Sequence, residues 1–215
     1  MSTWTVGLVV LAGGIAATLE ATRLADLGVG PLDVLNTAVS RRTGLDIGIA
    51  IGLVNAVMVL ATRALGGRLA VATVATAVAL GPVVDGWLAL HDVLGVAAEC
   101  PWAWSLLVAG TAAIGAGGAI QISSGWGPSP LDALVVRIAG PRWSLRLVRT
   151  VAELSLAAAG ALAGGAIGPG TVVIALGVGP ALGASMRLLA PLRARLGTTG
   201  VDHRAGGGSA APPAG

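Results

Sequence analysis

The sequence predicts an all-α integral membrane protein: six transmembrane helices in two inverted three-helix repeats, each with a short Pro-Leu-Asp helix after its first span. Three observations predict this fold: an apolar composition, six segments of membrane-spanning length, and an internal repeat. Of the 215 residues, 55% are hydrophobic and 11% are charged, and the mean hydropathy is +0.87. A soluble domain carries roughly a quarter charged residues, so we expect the lipid bilayer to be the main solvent.

The repeat is a Gly- and Pro-rich block that occurs twice. Residues 27–35 (LGVGPLDVL) reappear as residues 126–134 (WGPSPLDAL), which begin 99 positions later. Further along the chain the offset is 98, and it aligns Asn55 with Glu153. Composition alone does not preserve the order of residues over such distances, so the sequence indicates an internal duplication.

Six apolar segments each approach the ~20 residues that a helix needs to cross a bilayer. They are residues 4–22, 46–65, 69–90, 102–123, 144–163 and 169–190. The first is predicted to be a span and not a cleaved signal peptide, because no positive charge precedes it. We expect a first repeat at 1–98, a second at 99–196, and a disordered cytoplasmic tail at 197–215.

A short helix is predicted after the first span of each repeat, at 31–41 and 130–139. Each begins with a capping Gly or Ser, then Pro at the first helical position and Asp at the third. Two interpretations remain open. Asp33 and Asp132 only cap helices that lie at the interface, or two half-helices re-enter from opposite faces and aim their N-termini at one cavity.

The arginines predict the orientation. Loops two and four and the C-terminal tail carry most of them, whereas loops three and five carry none, so both termini are expected in the cytoplasm of a bacterial inner membrane. The first loop dissents with Arg41 and Arg42. Three spans per unit is an odd number, so the second repeat must enter the bilayer in the opposite direction, an arrangement that is typical of transporters.

The fifth span carries an unusual charged face. Arg149 and Glu153 are four residues apart and share one side of the helix. Glu153 lies ~13 Å from the start of the span, near mid-membrane, where a carboxylate needs a partner or water. Asn55 occupies the matching depth in the second span. Either Arg149 and Glu153 form a structural pair with Asn55 bonding between helices, or these residues and the two aspartates build a solute or proton site.

Two charged residues near the end of the first span, Glu20 and Arg23, are expected to reach toward the interface or to line a vestibule. The single Cys100 excludes an intrachain disulfide and a cysteine-based metal framework. No phosphate-binding loop or zinc-protease motif is present. The net charge of +3 comes without a basic stretch interleaved with aromatics. We therefore expect no enzymatic activity, cofactor, metal or nucleic-acid partner.

Three motifs resemble the YczE/YitT-like group of bacterial membrane proteins. They are the Pro-Leu-Asp block, residues 143–154 (WSLRLVRTVAEL) and the glycines and proline of residues 168–180. The resemblance covers roughly residues 5–190, and it departs from the expected Thr-Gly pair at Pro141-Arg142. It implies a polytopic plasma-membrane protein of bacterial origin. The activity of the group is poorly defined, so the resemblance implies fold and location more than a reaction.

Together these features favour a small-solute transporter or channel with a site where the repeats meet. The candidate site residues are Asp33, Asn55, Asp132, Arg149 and Glu153. Glu153 is the candidate carrier if a proton is coupled, because desolvation raises the pKa of a carboxyl. The alternative is a non-transporting membrane protein that assembles or regulates a partner. Frequent Gly-xxx-Gly spacing is compatible with a homo-oligomer.

Overall fold

Helices make up the secondary structure that the computed structural model describes, over residues 2–95, 102–141 and 143–195. In chain order they are α1 (Thr3–Ala25), α2 (Pro31–Thr43), α3 (Ile47–Ala64), α4 (Val71–Leu94), α5 (Ala103–Ser123), α6 (Pro130–Ala139), α7 (Leu145–Leu162) and α8 (Pro169–Arg195). Five of these, α1, α3, α4, α5 and α8, are long and apolar enough to cross a membrane. The prediction of a helical membrane protein is therefore confirmed.

The sixth predicted span is α7. It is a helix of 18 residues, and Arg146, Arg149 and Glu153 make it more charged than the five apolar helices. Its crossing of the bilayer therefore stays a prediction. The predicted tail at 197–215 and Cys100 lie outside the described residues.

Four helices, α1, α2, α4 and α8, end later than predicted, and in α1 and α2 the stop signal itself is clear. Helix α1 continues to Ala25, where Asp26 adopts a left-handed conformation with φ 50°. Helix α2 continues to Thr43, where Gly44 does the same with φ 72°. A left-handed residue after the last turn is a common way to end a helix, and glycine adopts it without strain.

The helix boundaries recur with the offsets found in the sequence. Helices α3 and α7 both have 18 residues and begin 98 positions apart, as do α4 and α8, while α2 and α6 begin 99 apart. The loops after α3 and α7 also match. Each contains a glycine with positive φ, 76° at Gly66 and 84° at Gly164. The amide of the next glycine donates to a carbonyl five residues earlier, at 2.8 Å in both loops.

Contacts between loops define two ends of the molecule. At one end the amide of Val29 donates to the carbonyl of Ala166 (3.2 Å). At the other end the ring of Trp4 stacks on that of Trp126, with centroids 6.1 Å apart. We name them the Arg41 end (residues 26–30, 41–46 and 163–168) and the Trp126 end (residues 2–5, 65–70 and 124–129).

The centre of the molecule is an antiparallel crossing of α1 and α5. A Cβ on Gly14 would lie 2.6 Å from the amide nitrogen of Ile114 and 2.7 Å from the carbonyl oxygen of Gly110. Only glycine permits this approach of two backbones. Helix α4 packs on the other side of α1, and α8 packs on α5. These four of the five long helices thus form a row in the order α4, α1, α5, α8.

The remaining four helices exchange contacts between the two halves of the chain. Helix α2 packs on α7, and α6 packs on α3. Where they meet, an apolar cluster forms around Val54 and Met58 of α3 and Leu131 and Val135 of α6. Each short helix therefore completes its packing on the opposite half.

Arginines at the ends of the short helices reinforce this exchange. Arg41 Nη1 donates to the carbonyl of Gly164 (3.0 Å), and Arg42 Nε donates to that of Ala163 (2.7 Å). At the other end, Arg137 Nε donates to the carbonyl of Leu65. A cation at a helix C-terminus satisfies the last carbonyls and interacts well with the helix dipole. Arg41 and Arg42, the exceptions in the count of arginines per loop, thus bind the end of α7.

Candidate functional site

Three of the five predicted site residues form an ionic cluster between α6 and α7. Arg149 Nη1 lies 2.6 Å from Asp132 Oδ1, and Arg149 Nε lies 3.0 Å from Glu153 Oε1. The hydroxyl of Ser129 donates to Asp132 Oδ2 (2.8 Å) and accepts from the Asp132 amide (3.2 Å), so it caps α6 as predicted. The predicted Arg149–Glu153 pair is confirmed, and Asp132 is its additional anion.

This ionic cluster is open to its surroundings. The side chains of Arg149, Asp132 and Glu153 are 46%, 29% and 31% exposed. Glu153 is the ninth residue of α7, at the depth that the sequence predicted. Only Gly160 is buried along α7. The cluster is thus an accessible set of charges that extends from the Trp126 end toward the middle of α7, and not a buried core pair.

Asp33 lies at the opposite end of the molecule and is buried, with 8% exposure. Its Oδ1 accepts from Asn36 Nδ2 at 2.9 Å, and the Oδ1 of Asn36 has no hydrogen-bond partner among the described residues. Burial raises the pKa of Asp33 to about 6, against the opposing effect of the Asn36 hydrogen bond. The position in α3 that is equivalent to Arg149 is Ile51, so α3 carries no arginine like the one that Asp132 meets on α7.

We expect Asp33→Asn to remove a pH dependence of stability. Between pH ~4 and ~6 the folded state keeps the Asp33 proton that the unfolded state releases, so stability falls as the pH rises through this window. The rise of the pKa from 3.8 to about 6 corresponds to about 3 kcal/mol. Relative to wild type, the variant should be equally stable below pH ~4 and more stable at pH ~7.

Thermal unfolding of the purified protein in detergent, over this pH range, measures the difference. The exposed Asp46 supplies the control, because Asp46→Asn changes the same group outside the core. Parallel pH curves for wild type and Asp33→Asn would contradict the effect of burial.

Asn55 is the ninth residue of α3 and is buried, with 4% exposure. It matches Glu153 in depth, as predicted. Within the described residues, no polar contact joins Asn55 or Asp33 to the ionic cluster. The structure therefore brings together Asp132, Arg149 and Glu153 and leaves the other two predicted site residues apart.

The short helices lie across the two ends of the molecule. Val29, just before α2, and Thr37 within it both meet Ala166, while Arg41 reaches Gly164. Both ends of α2 thus contact the loop after α7. The N-termini of α2 and α6 lie at opposite ends, so they do not converge on one cavity.

Where the two halves meet, the structure has an apolar groove. It has a volume of about 540 Å³ between α2, α3, α6 and α7, and leucine, valine, alanine and methionine side chains line almost all of it. A polar cavity was predicted here. The polar residues of α3 and α7 that suggested it are divided between the buried side of α3 and the open cluster on α7.

The first half of the chain closes a contact between its second and third long helices. The amide of Gly48 at the start of α3 donates to Asp85 Oδ1 of α4 at 2.9 Å. A Cβ on Gly48 would lie 2.5 Å from the carbonyl oxygen of Gly81. Helices α3 and α4 are therefore in backbone contact, close to the Arg41 end.

The second half leaves the equivalent contact open. The residues 98 positions later are Arg146, Gly179 and Gly183. A Cβ on either glycine would meet no atom within 4 Å, and within the described ranges α7 does not pack along α8. Helix α7 begins near the Trp126 end, so the two equivalent contacts lie at opposite ends, one closed and one open.

Sequence reasoning missed the environment of Glu20. It is fully buried, with 0% exposure, and its Oε2 pairs with Arg23 Nη1 at 3.2 Å. Its other oxygen, Oε1, has no hydrogen-bond partner among the described residues. Arg23 lines a cavity of about 280 Å³ at the Arg41 end. The vestibule interpretation fits Arg23, whereas Glu20 is buried and belongs neither to the interface nor to the lining of this cavity.

The chain matches known proteins along most of its length. Residues 1–187 match the model of a family described as a family of unknown function, DUF6198. The chain is 28% identical to the uncharacterized membrane protein YczE of Bacillus subtilis (strain 168), over 96% of this chain and 93% of that protein. No solved structure matches it. These matches confirm the resemblance to YczE-like membrane proteins.

Proposed function

Since the chain belongs to the DUF6198 family, whose function is unknown, we propose from its geometry that it moves a small solute across the membrane by alternating access. The observation that carries this proposal is the unequal state of two equivalent helix pairs. Helices α3 and α4 are closed on each other at the Arg41 end, whereas α7 and α8 are apart near the Trp126 end.

This difference is what an inverted-repeat transporter requires. In such proteins the two halves exchange conformations, so that a gate closes on one side of the membrane while its counterpart opens on the other. The duplication, the matched helix boundaries and the antiparallel crossing of α1 and α5 support an inverted repeat. The present state is then closed at the Arg41 end and open at the Trp126 end.

The ionic cluster fits the open side. Arg149, Asp132 and Glu153 are partly exposed and lie on helices near the Trp126 end. We assign them as the polar surface that a solute or proton meets in this state. The orientation follows from the arginines. Arg41 and Arg42 bind the carbonyls at the end of α7, so we leave them out of the count of arginines at each end. The remaining arginines then place the Trp126 end in the cytoplasm.

A disulfide between α7 and α8 tests the proposal. In the alternate state residues 146 and 183 approach each other as Gly48 and Asp85 do now, though less closely, because residue 146 carries a Cβ where Gly48 has none. We therefore expect Arg146→Cys with Gly183→Cys, in a chain with Cys100→Ser, to form a disulfide in native membranes under mild oxidation. Such a bond needs Cα atoms within ~7 Å. Mass spectrometry of the linked peptides and loss of free thiol measure it.

Two further pairs complete the experiment. Val29→Cys with Ala166→Cys, at two residues whose backbones are joined by a hydrogen bond (3.2 Å) and of which neither is glycine, should link and shows that the oxidant works. Thr150→Cys with Gly183→Cys should not link, because its counterpart Gly52 meets nothing in the closed pair. If the 29–166 pair links and the 146–183 pair never does, alternating access is wrong. The protein would then be better explained as one that assembles or regulates a membrane partner, and a stoichiometric partner should co-purify.

A further inference from the structure

The cavity at the Arg41 end lies between α1, α2 and α4 and has a volume of about 280 Å³. Its polar lining comes from α1 and α2: Thr22, Arg23, Asp26, Thr37, Ser40 and Arg41. Leu19 of α1 and Leu88 of α4 add an apolar part. Such a combination, apolar walls with a few polar groups, is typical of a site for a small molecule.

Two opposite charges in this cavity have no ionic partner. Arg23 is neutralised by Glu20 (3.2 Å) and lies near Asp92 (3.8 Å). Arg41 and Asp26 form no ion pair within the described residues, with each other or with another group. The cavity thus offers one uncompensated cation and one uncompensated anion on two different helices.

The hydrogen-bonding groups divide in the same way. Thr22 Oγ1 donates its hydrogen to the Thr18 carbonyl (2.9 Å), and Ser40 Oγ donates to the Leu45 carbonyl (2.7 Å), so both retain only acceptor capacity. Behind the lining, Glu20 Oε1 is a buried acceptor without a partner. Thr22 lies one helical turn before Asp26, whose amide donates to its carbonyl (2.9 Å), so the Thr22 hydroxyl and the Asp26 carboxylate suit the N–H groups of an ammonium.

Two guanidinium groups supply the donors of the cavity: that of Arg23, whose charge Glu20 offsets, and that of Arg41, which no carboxylate of the described residues offsets. Only the Nη1 of Arg41 is used, toward Gly164. Its other N–H groups remain for a carboxylate, which a guanidinium binds in a fork geometry. Acceptors at one place and guanidinium donors at another call for a ligand that carries both complementary charges.

We propose that this cavity binds a small zwitterion: a carboxylate at Arg41, an ammonium group at Asp26, and an aliphatic side chain against Leu19 and Leu88. An aliphatic α-amino acid has this chemistry. The inference does not depend on transport, because a receptor-like protein that never changes conformation would bind the same ligand.

Calorimetric titration of the purified full-length protein in lipid nanodiscs tests it with three matched probes. L-Leucine carries both charges, isoamylamine lacks the carboxylate, and 4-methylpentanoate lacks the ammonium group. We expect saturable binding of L-leucine, at least ~10-fold tighter than that of either analogue. Equal affinity for all three probes, or no binding of L-leucine at ~10 mM, would overturn the proposal. The second result would leave a cavity that holds water only.

Variants locate the binding. Asp26→Asn keeps a residue that tolerates the left-handed backbone and should weaken L-leucine binding ~10-fold or more while leaving 4-methylpentanoate unchanged. Arg41→Gln should also weaken L-leucine binding, but it should leave the binding of isoamylamine unchanged. Arg42→Gln is the matched control, because Arg42 caps the same helix but lies outside the cavity. Loss of L-leucine binding in Arg42→Gln, or none in Asp26→Asn, contradicts the site. These binding experiments do not test alternating access, which the 146–183 disulfide tests separately.

Discussion

Replacing Gly160 by alanine should prevent most of the protein from folding. The added Cβ would lie 2.5 Å from the amide nitrogen of Leu35 and 2.6 Å from the carbonyl carbon of Val34. Both are backbone atoms of α2, so no side chain can turn away to make room. Overpacking of this kind typically costs ~1–3 kcal/mol when side chains adjust, and we expect more where two backbones must separate.

The expected effect is large because α7 is the main packing partner of α2. If α2 moves away from α7, three hydrogen bonds are lost together. Two are those from Arg41 and Arg42 to the carbonyls at the end of α7, and the third is that from the Ala166 amide to Thr37 Oγ1 (2.9 Å). Size-exclusion chromatography of detergent-solubilised protein should show a strongly reduced monodisperse peak. Thermal unfolding of the remainder should begin at a lower temperature.

Gly179→Ala is the matched control. It also places alanine in a helix of the second half, but its Cβ meets no atom within 4 Å. Alanine is preferred to glycine inside a helix by ~0.5–1 kcal/mol, so this variant should be as stable as wild type or slightly more stable. Wild-type recovery and unfolding temperature for Gly160→Ala would show that α2 and α7 are not held together as the structure has them.

A second substitution, Gly81→Ala, should accelerate disulfide formation between cysteines at 146 and 183. Its Cβ would collide with the backbone of Gly48, including the carbonyl oxygen and the carbonyl carbon at 2.8 Å. This contact exists only while α3 and α4 are closed on each other. Destabilising it shifts the population toward the alternate state, and each 1.4 kcal/mol raises the ratio of the two states ~10-fold.

The rate of disulfide formation in native membranes measures this shift. Gly86→Ala, in the same helix but facing open space, should leave the rate unchanged. Asp85→Ala removes the hydrogen bond to Gly48 without adding atoms, and it should act in the same direction to a smaller extent. If both Gly81→Ala and Asp85→Ala leave the protein folded and the rate unchanged, the two helix pairs are not coupled.

The helices and the duplication could be predicted because their signals are local. Hydropathy over ~20 residues marks a span, and Pro and Gly mark where helices begin and end. Thus 130–139 was predicted to the residue, and the boundaries of α3 were missed by one residue at each end. The charged face of α7 also followed from spacing alone, which gave the Arg149–Glu153 pair.

The candidate site could be predicted only in part because its geometry depends on contacts between distant segments. Asp33 and Asp132 occur in nearly the same sequence, yet one is buried beside an amide and the other pairs with an arginine 17 positions away. Nothing in either motif indicates which helix it meets. Glu20 was misjudged for the same reason, since its burial results from the packing of other helices around α1.

The exchange of short helices has a consequence for how such a chain arose. Since α2 packs mainly on α7 and α6 mainly on α3, a chain that ended near residue 98 would leave its own short helix without its main packing partner. It would find that partner only on a second copy inserted upside down in the same membrane. Under the inverted repeat that we propose, a gene for half of this protein would have encoded an antiparallel homodimer, and gene fusion would have made that pairing permanent. Two halves that are expressed separately should still associate in the membrane.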